Sequence, residues 1–117
     1  MIQGKVWGET RPIFNKNGVE IHRMVAYDGG YCSKHRHNFK YNEFFVESGK
    51  LEIEVWQKDY DLIDKTLVES GEKTVVPPGL WHRFRALEDT VCFEIYYTEL
   101  DPKDIEREDH GGTDSSY

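Results

Sequence analysis

The stretch Gly29-Gly-Tyr-Cys-Ser-Lys-His35-Arg-His37-Asn-Phe-Lys-Tyr-Asn42 begins with a glycine turn and places two histidines two positions apart. In an extended strand, side chains at positions i and i+2 project from the same face, so both imidazoles can reach one metal ion. A second stretch, Pro77-Pro-Gly-Leu-Trp-His82, brings a third histidine shortly after another turn. Three neutral imidazoles are typical of a metal site that leaves positions open for a substrate. His35, His37 and His82 are therefore the candidate ligands of one divalent metal ion.

Around these stretches the apolar residues recur with a period of two, which indicates strands with one buried face. The predicted strands cover residues 19–27, 43–47, 51–57, 73–76 and 91–98. Residues 58–68 are predicted to form a hairpin connection, and residues 101–107 are the single helix candidate. Many short strands separated by turn residues predict an all-β protein, either an antiparallel sandwich or a barrel.

The size and charge of the chain indicate one acidic domain. Its 117 residues suit a single domain, which we expect over residues 1–107, with a flexible acidic C-terminal tail over 108–117. Fifteen basic against 22 acidic residues give a net charge of -7, which disfavours nucleic acid and anionic membranes as partners. The sequence shows no signal peptide and no CxxC pair around Cys32 or Cys92, so we expect a cytoplasmic protein with reduced thiols.

The spacing of the two histidine stretches resembles the cupin family. Its first motif reads glycine, five residues, HxH, three or four residues, glutamate, six residues, glycine. Its second reads glycine, five residues, PxG, two residues, histidine, three residues, asparagine. The matching positions in this chain are Gly29, His35, His37, Gly49, Gly71, Pro77, Gly79 and His82. The chain departs at Asn42, where the family has its glutamate ligand, and at Ala86, where it has asparagine.

The resemblance implies a double-stranded β-helix, also called a jelly-roll barrel, that holds one divalent metal ion, and it does not distinguish zinc, manganese, iron and nickel. Asn42 takes the position of the fourth ligand, although an amide oxygen is a weaker donor than a carboxylate. Glu43 is the alternative ligand, and it requires a β-bulge because strand alternation turns it to the opposite face. With a neutral fourth group, the site keeps the full charge of the ion and should attract anionic or chelating oxygens.

Short flanking segments resemble sugar-isomerase cupins, namely the D-lyxose isomerase type and the cupin domain of type II mannose-6-phosphate isomerases. The shared signals are Trp7-Gly8, Lys40 between the HxH pair and the glutamate position, and Asp104-Ile-Glu-Arg107. By this resemblance, Glu94 can serve as the base that moves a proton between two sugar carbons. The alternative for Glu94 is a salt-bridged residue on the outer face of the barrel. Lys40 is a candidate contact for a sugar oxygen or a phosphate.

The resemblance therefore implies a metal-dependent enzyme that acts on a small sugar or sugar phosphate by aldose–ketose isomerisation. Glu94 or Glu43 would carry the proton, and the metal would act as a Lewis acid. One rival function is oxygen-dependent oxidation at a three-histidine iron, and another is a cupin that binds a sugar without turnover.

Outside the site, two expectations concern the surface. Alternation turns four cations away from the ligand face and towards solvent, namely Lys34, Arg36, Arg83 and Arg85. A homodimer is expected because cupins commonly pair by their outer sheets and this chain has many aromatic residues. We expect its other partner to be a small molecule, either a sugar or an anionic oxygen ligand.

Overall fold

Strands account for the regular structure of the chain. The computed structural model describes residues 1–59, 61–99 and 101–114, and within them it contains nine strands. In chain order these are β1 Gln3–Lys5, β2 Gly8–Lys16, β3 Val19–Ala26, β4 Tyr41–Ser48, β5 Lys50–Trp56, β6 Ile63–Glu69, β7 Lys73–Val76, β8 Trp81–Ala86 and β9 Thr90–Tyr97.

The strands form two antiparallel sheets. The larger sheet has the order β1-β2-β3-β9-β4-β7, and the smaller has the order β6-β5-β8. Strand β9 lies between β3 and β4, and β8 lies beside β5, so most neighbours are distant in the chain. Such crossovers between two sheets are typical of a jelly-roll barrel. The prediction of an all-β jelly-roll fold is confirmed.

The inward side chains form an apolar layer and a polar layer. Leu51, Val46 and Ala86 belong to the apolar layer and are almost fully buried. Phe44 and Phe84 are buried between this layer and the polar one, with the Phe44 ring 6.4 Å from that of His82. The apolar layer stabilises the barrel by removing apolar surface from water, and the polar layer is the candidate site.

The glycine that ends the first histidine motif is required by the backbone. Gly49 joins β4 to β5 with a φ of 99°. A Cβ atom there would lie 2.4 Å from the carbonyl oxygen of Asp89 and 2.5 Å from Oγ1 of Thr90. Any other residue would therefore force apart two neighbouring segments and adopt a strained backbone.

The structure adds strands that the sequence pattern did not predict. Strand β6, Ile63–Glu69, occupies much of the segment predicted as a hairpin connection. It lies at the edge of the smaller sheet, and Val68 is its one buried residue, so it lacks an alternating apolar signal. Strands β1 and β2 were also not predicted, since β1 and most of β2 bury few side chains. Strand β8 has the alternation that was assumed for Arg83 and Arg85.

The helix predicted over residues 101–107 is wrong. The described residues from 101 onward form turns and bends and are exposed. A helix of one or two turns needs a packed apolar face, and this segment packs none. The division into a domain over 1–107 and a tail over 108–117 stays a prediction. Within the described residues, no helix has the length and hydropathy that crossing a bilayer requires.

Candidate metal centre

The backbone brings the three histidines together through one short bridge. His35 and His82 form an isolated antiparallel β-bridge, in which each backbone N–H donates to the carbonyl oxygen of the other, at 3.0 and 2.8 Å. His37 follows in the same loop, and its carbonyl oxygen accepts a hydrogen bond from the N–H of Gly79 at 2.7 Å. The HxH pair therefore lies in an extended loop beside β8, not in a strand as predicted.

The imidazoles face one another at distances that suit a shared ion. Ring centroids are 4.6 Å apart for His35 and His82, 5.0 Å for His35 and His37, and 5.5 Å for His37 and His82. One ligand atom from each ring lies within 4.8 Å of the other two. The three residues predicted as metal ligands are thus placed together, and the group could hold a metal ion.

Hydrogen bonds to the backbone orient two of the rings. Nδ1 of His35 lies 2.7 Å from the carbonyl oxygen of Ser33, and Nδ1 of His82 lies 3.0 Å from that of Leu80. A carbonyl oxygen only accepts, so Nδ1 of His35 carries the proton and its Nε2 presents a lone pair. A neutral His82 ring carries one proton, which it donates either from Nδ1 to Leu80 or from Nε2 to the amide oxygen of Asn42. Binding of a metal ion through Nε2 requires the first of these two forms. This arrangement is the usual way in which proteins prepare a histidine for a metal.

The third ring carries an unsatisfied nitrogen. Nε2 of His37 is buried and has no hydrogen-bond partner in the described part of the chain. Burial, with His35 and Lys40 as further causes, lowers the pKa of His37 to about 4. Burial also lowers the pKa of His82, against the effect of its hydrogen bond to Leu80. Both rings are therefore uncharged at neutral pH, so their lone pairs fit a divalent ion.

Asn42 completes the inner polar layer. It is fully buried on β4, with its Oδ1 3.1 Å from Nε2 of His82. Its Nδ2 donates a hydrogen bond of 3.2 Å to Oε2 of Glu94. The position predicted for the fourth ligand therefore adjoins the histidines, and its neutral amide links them to a carboxylate.

Glu94 lies inside the barrel and not on its outer face. Oε2 of Glu94 accepts a hydrogen bond of 2.6 Å from the hydroxyl of Tyr96, and the residue is 9% exposed. Burial, and then the charge of Glu94, raises the pKa of Tyr96, which keeps its hydroxyl protonated as a donor. The apolar residues Val91 and Phe93 face outward, so the side that looked polar in the sequence is the inner side of β9.

Glu43 and Lys40, the other two predicted catalytic residues, take different positions. Glu43 lies on the outer side of β4, where its carboxylate is 4.0 Å from Nζ of Lys73. The one irregularity between β4 and β9 lies between Val46 and Ser48, so no bulge turns Glu43 inward. Nζ of Lys40 lies 4.1 Å from the ring centroid of Tyr96, beside the inner polar layer.

A cavity of about 340 Å³ opens beside His35, Glu94 and Tyr96. Its wall includes four residues from the first three strands, Gln3, Lys5, Thr10 and His22. These residues were not predicted as part of the site. The Trp7-Gly8 signal at the start of β2 is the one sequence feature noted near them, and Trp7 also lines the cavity. The pairing of β1 with β2, of β2 with β3 and of β3 with β9 brings these strands to the cavity.

Comparison with known families agrees with this geometry. The sequence matches the family described as Cupin over residues 4–115, which is most of the chain. This chain is a cupin. The predicted family is thereby confirmed, whereas the sugar-isomerase subtype stays a prediction. A comparison with curated protein sequences finds no match.

Several solved structures share the cupin fold at low sequence identity. KdgF from Halomonas sp. is 17% identical, with a TM-score of 0.72 over 86% of this chain and 88% of that chain. Oxalate decarboxylase from Bacillus subtilis is 15% identical, with a TM-score of 0.75 over 84% of this chain and 27% of that chain. The cupin domain of Schizosaccharomyces pombe Cnp3 is 13% identical, with a TM-score of 0.71 over 85% and 69%. Likeness at these identities shows the fold alone.

Proposed function

We propose that this cupin is a metal-dependent enzyme that interconverts the aldose and ketose forms of a small sugar or sugar phosphate. The observation that carries the proposal is the position of Glu94, whose carboxylate lines the same cavity as His35. Isomerisation needs a base that removes a proton from one carbon and returns it to the next. Glu94 is the carboxylate that the described residues place in this cavity.

Each polar residue of the inner layer has a role in this scheme. Asn42 and Tyr96 hold Glu94 through hydrogen bonds from neutral groups, so the carboxylate keeps a defined position, and no described residue forms a salt bridge with it. Oε1 of Glu94 has no hydrogen bond among the described residues and is the oxygen that takes the proton. Lys40, beside Tyr96, contacts a sugar oxygen or a phosphate.

His35, His37 and His82 are the residues that would hold the metal ion. Such an ion supplies Lewis acidity, which polarises the carbonyl group of the open-chain sugar. Zinc, manganese, iron and nickel are all candidates for a site of this chemistry. The Bacillus subtilis oxalate decarboxylase has Mn(II) centres, which supports including manganese in the test.

A second candidate function is sugar binding without turnover. Asn42 favours it, because the amide supplies no negative charge where the family has a glutamate. A site with three imidazoles and one amide leaves the charge of the ion uncompensated and holds anionic oxygens more strongly. The two functions share a ligand and differ in whether Glu94 transfers a proton.

The experiment is an anaerobic incubation of the metal-loaded chain with a panel of aldoses and aldose phosphates. We expect ketose formation, and we expect Glu94→Gln to lower the rate by about 10²–10⁴-fold. Glu43→Gln is the matched control, since it removes a carboxylate on the outer side of β4, and it should keep the wild-type rate. Saturable sugar binding with no ketose from any substrate or metal would support the binding function. Product formation that needs oxygen and iron would support the oxidation chemistry instead.

A further inference from the structure

Four cations cluster on the outer side of the smaller sheet, away from the histidines. They are Lys34, Arg36, Arg83 and Arg85, which we call the cation patch. The first two come from the loop beside β8, and the other two from β8 itself. This is a local excess of positive charge on a chain whose net charge is -7.

Aromatic rings hold the patch side chains in place. Nζ of Lys34 lies 4.1 Å from the ring centroid of Trp56, and the guanidinium carbon of Arg36 lies 4.9 Å from that of Trp81. Arg83 and Arg85 both lie over Tyr31, at 5.4 and 4.7 Å. Cation–π contacts of this kind restrict the side chains before any partner arrives, so less conformational entropy is lost on binding.

A buried carboxylate fixes the two arginines of the patch. Glu54 is 2% exposed, and its oxygens accept hydrogen bonds from Nε of Arg83 and Nε of Arg85, at 2.9 and 3.2 Å. The terminal nitrogens of both guanidinium groups make no hydrogen bond to the described residues, and they are the donors that bind carboxylates in pairs. Glu54 and the four cations together carry a charge of +3.

The segment 101–114 has a charge opposite to that of the cation patch, and its side chains are exposed to solvent. It contains six acidic and two basic residues, a net charge of -4, and all of its described residues are exposed. Among the described residues its hydrogen bonds lie within the segment itself, for example from the N–H of Lys103 to Oδ1 of Asp101. Ile105 is 59% exposed and offers an apolar side chain to an aromatic surface.

The elongated shape of the molecule agrees with an exposed segment that stands away from the barrel. The radius of gyration is 18.2 Å, whereas a compact chain of this length has about 13 Å. The longest dimension is 62 Å against 35 and 28 Å for the other two. A segment that stands away from its own domain can reach a second molecule.

We propose that the segment 101–114 of one chain docks onto the cation patch of a second copy, and that the second copy returns the same contact. Such a reciprocal exchange gives a closed dimer with two-fold symmetry. Once the first contact has formed, the second segment and patch are held close together, so the second contact forms more easily than the first. The attraction comes from carboxylates of the segment and the guanidinium and ammonium groups of the patch. Because Lys34, Arg36 and the carboxylates of the segment are exposed, salt should weaken the dimer.

The test is sedimentation velocity on the full chain over a range of concentrations, at low and high salt. We expect a dimer that dissociates on dilution and in high salt. Lys34→Glu/Arg36→Glu reverses the patch without removing a partner of Glu54, and Glu106→Lys/Glu108→Lys reverses the segment. Each double variant should weaken dimerisation by about tenfold or more. The reversal turns attractive pairs into repulsive ones, and it does so in both contacts of the dimer.

Mixing the two variants gives the decisive control. In the mixed dimer, the charge-reversed segment of one variant contacts the charge-reversed patch of the other. The native segment and the native patch form the second contact, so dimerisation should return. Arg11→Glu/Lys16→Glu changes the net charge equally on β2 and should dimerise like the wild type. A wild-type chain that stays monomeric, variants that dimerise normally, or a mixture that does not recover would each overturn the proposal. Salt-sensitive compaction that does not depend on concentration would overturn it too, because the segment would then bind its own barrel.

Discussion

Glu54 and Glu94 are two carboxylates that folding removes from water, and their surroundings differ. Glu54, on the outer side of the smaller sheet, accepts hydrogen bonds from two guanidinium groups. Glu94, inside the barrel, accepts hydrogen bonds from an amide and a phenol, both neutral. A carboxylate paired with two arginines is stabilised as an anion and holds structure, whereas one held by neutral donors has no compensating cation among its hydrogen-bond partners. Burial alone does not distinguish the two carboxylates; the charge of their partners does.

Strand β8 connects the two regions. His82 and Phe84 point inward, and Arg83 and Arg85 point outward, because successive side chains of a strand alternate. One strand thus supplies an imidazole to the inner group of three histidines and two guanidinium groups to the outer surface. The following predictions test this division, in order of decreasing effect.

Removing both arginines around Glu54 should destabilise the fold most. Arg83→Ala/Arg85→Ala leaves a buried carboxylate without its partners, which costs about 3–5 kcal/mol in the free energy of unfolding. Urea denaturation measures the loss. Adding Glu54→Val to this variant should recover most of the stability, because the uncompensated charge is gone. No recovery would mean that the arginines act through their packing on Tyr31 and not through Glu54.

Removing one histidine should abolish tight metal binding at the inner site. His82→Ala should weaken the affinity for zinc or manganese by about 100-fold or more, since one of three ligand nitrogens is lost. Isothermal titration calorimetry and elemental analysis measure the effect. His110→Ala removes an exposed histidine of the C-terminal segment and should leave the affinity unchanged. Equal metal binding by His82→Ala and the wild type would contradict the metal centre.

Restoring the family's glutamate should strengthen the inner site. Asn42→Glu adds a carboxylate next to His82 and should raise metal affinity by about tenfold, because a charged ligand replaces a neutral amide. It should also lower the stability of the metal-free chain, since two buried carboxylates then lie side by side. Asn38→Glu adds the same charge at an exposed loop position and is the control. An unchanged affinity in Asn42→Glu would exclude position 42 from the metal site.

The outer carboxylate should determine part of the acid sensitivity. Burial raises the pKa of Glu54, but its hydrogen bonds and ion pairs with Arg83 and Arg85 outweigh this effect and lower the pKa overall. A lowered folded-state pKa contributes stability above the unfolded value of about 4.3, and that stability is lost as the pH falls through the folded value. Glu54→Gln should therefore lose stability at neutral pH and lose less than the wild type on acidification. Parallel pH profiles of the free energy of unfolding would contradict this assignment.

Much of the site was predictable from the sequence. The spacing of His35, His37 and His82 predicted one group of three imidazoles, and the glycine count predicted that Asn42 adjoins it. Alternation also predicted that Glu43 faces outward unless a bulge intervenes, and the structure has no bulge there. These predictions depended on local spacing, which the chain keeps whatever its neighbours are.

Tertiary structure decided the features that depend on distant strands. The apolar side of β9 faces outward, and Glu94 faces inward, because Asn42 and Tyr96 satisfy its carboxylate inside the barrel. Glu54 has the sequence pattern of an exposed residue, yet it is buried beneath Arg83 and Arg85, which lie 29 and 31 residues further along the chain. The sequence by itself determined the fold class through its periodicity, and the family and the group of three histidines through the resemblance of two motifs. Which carboxylate enters the cavity was decided by the partners that antiparallel pairing brings to it.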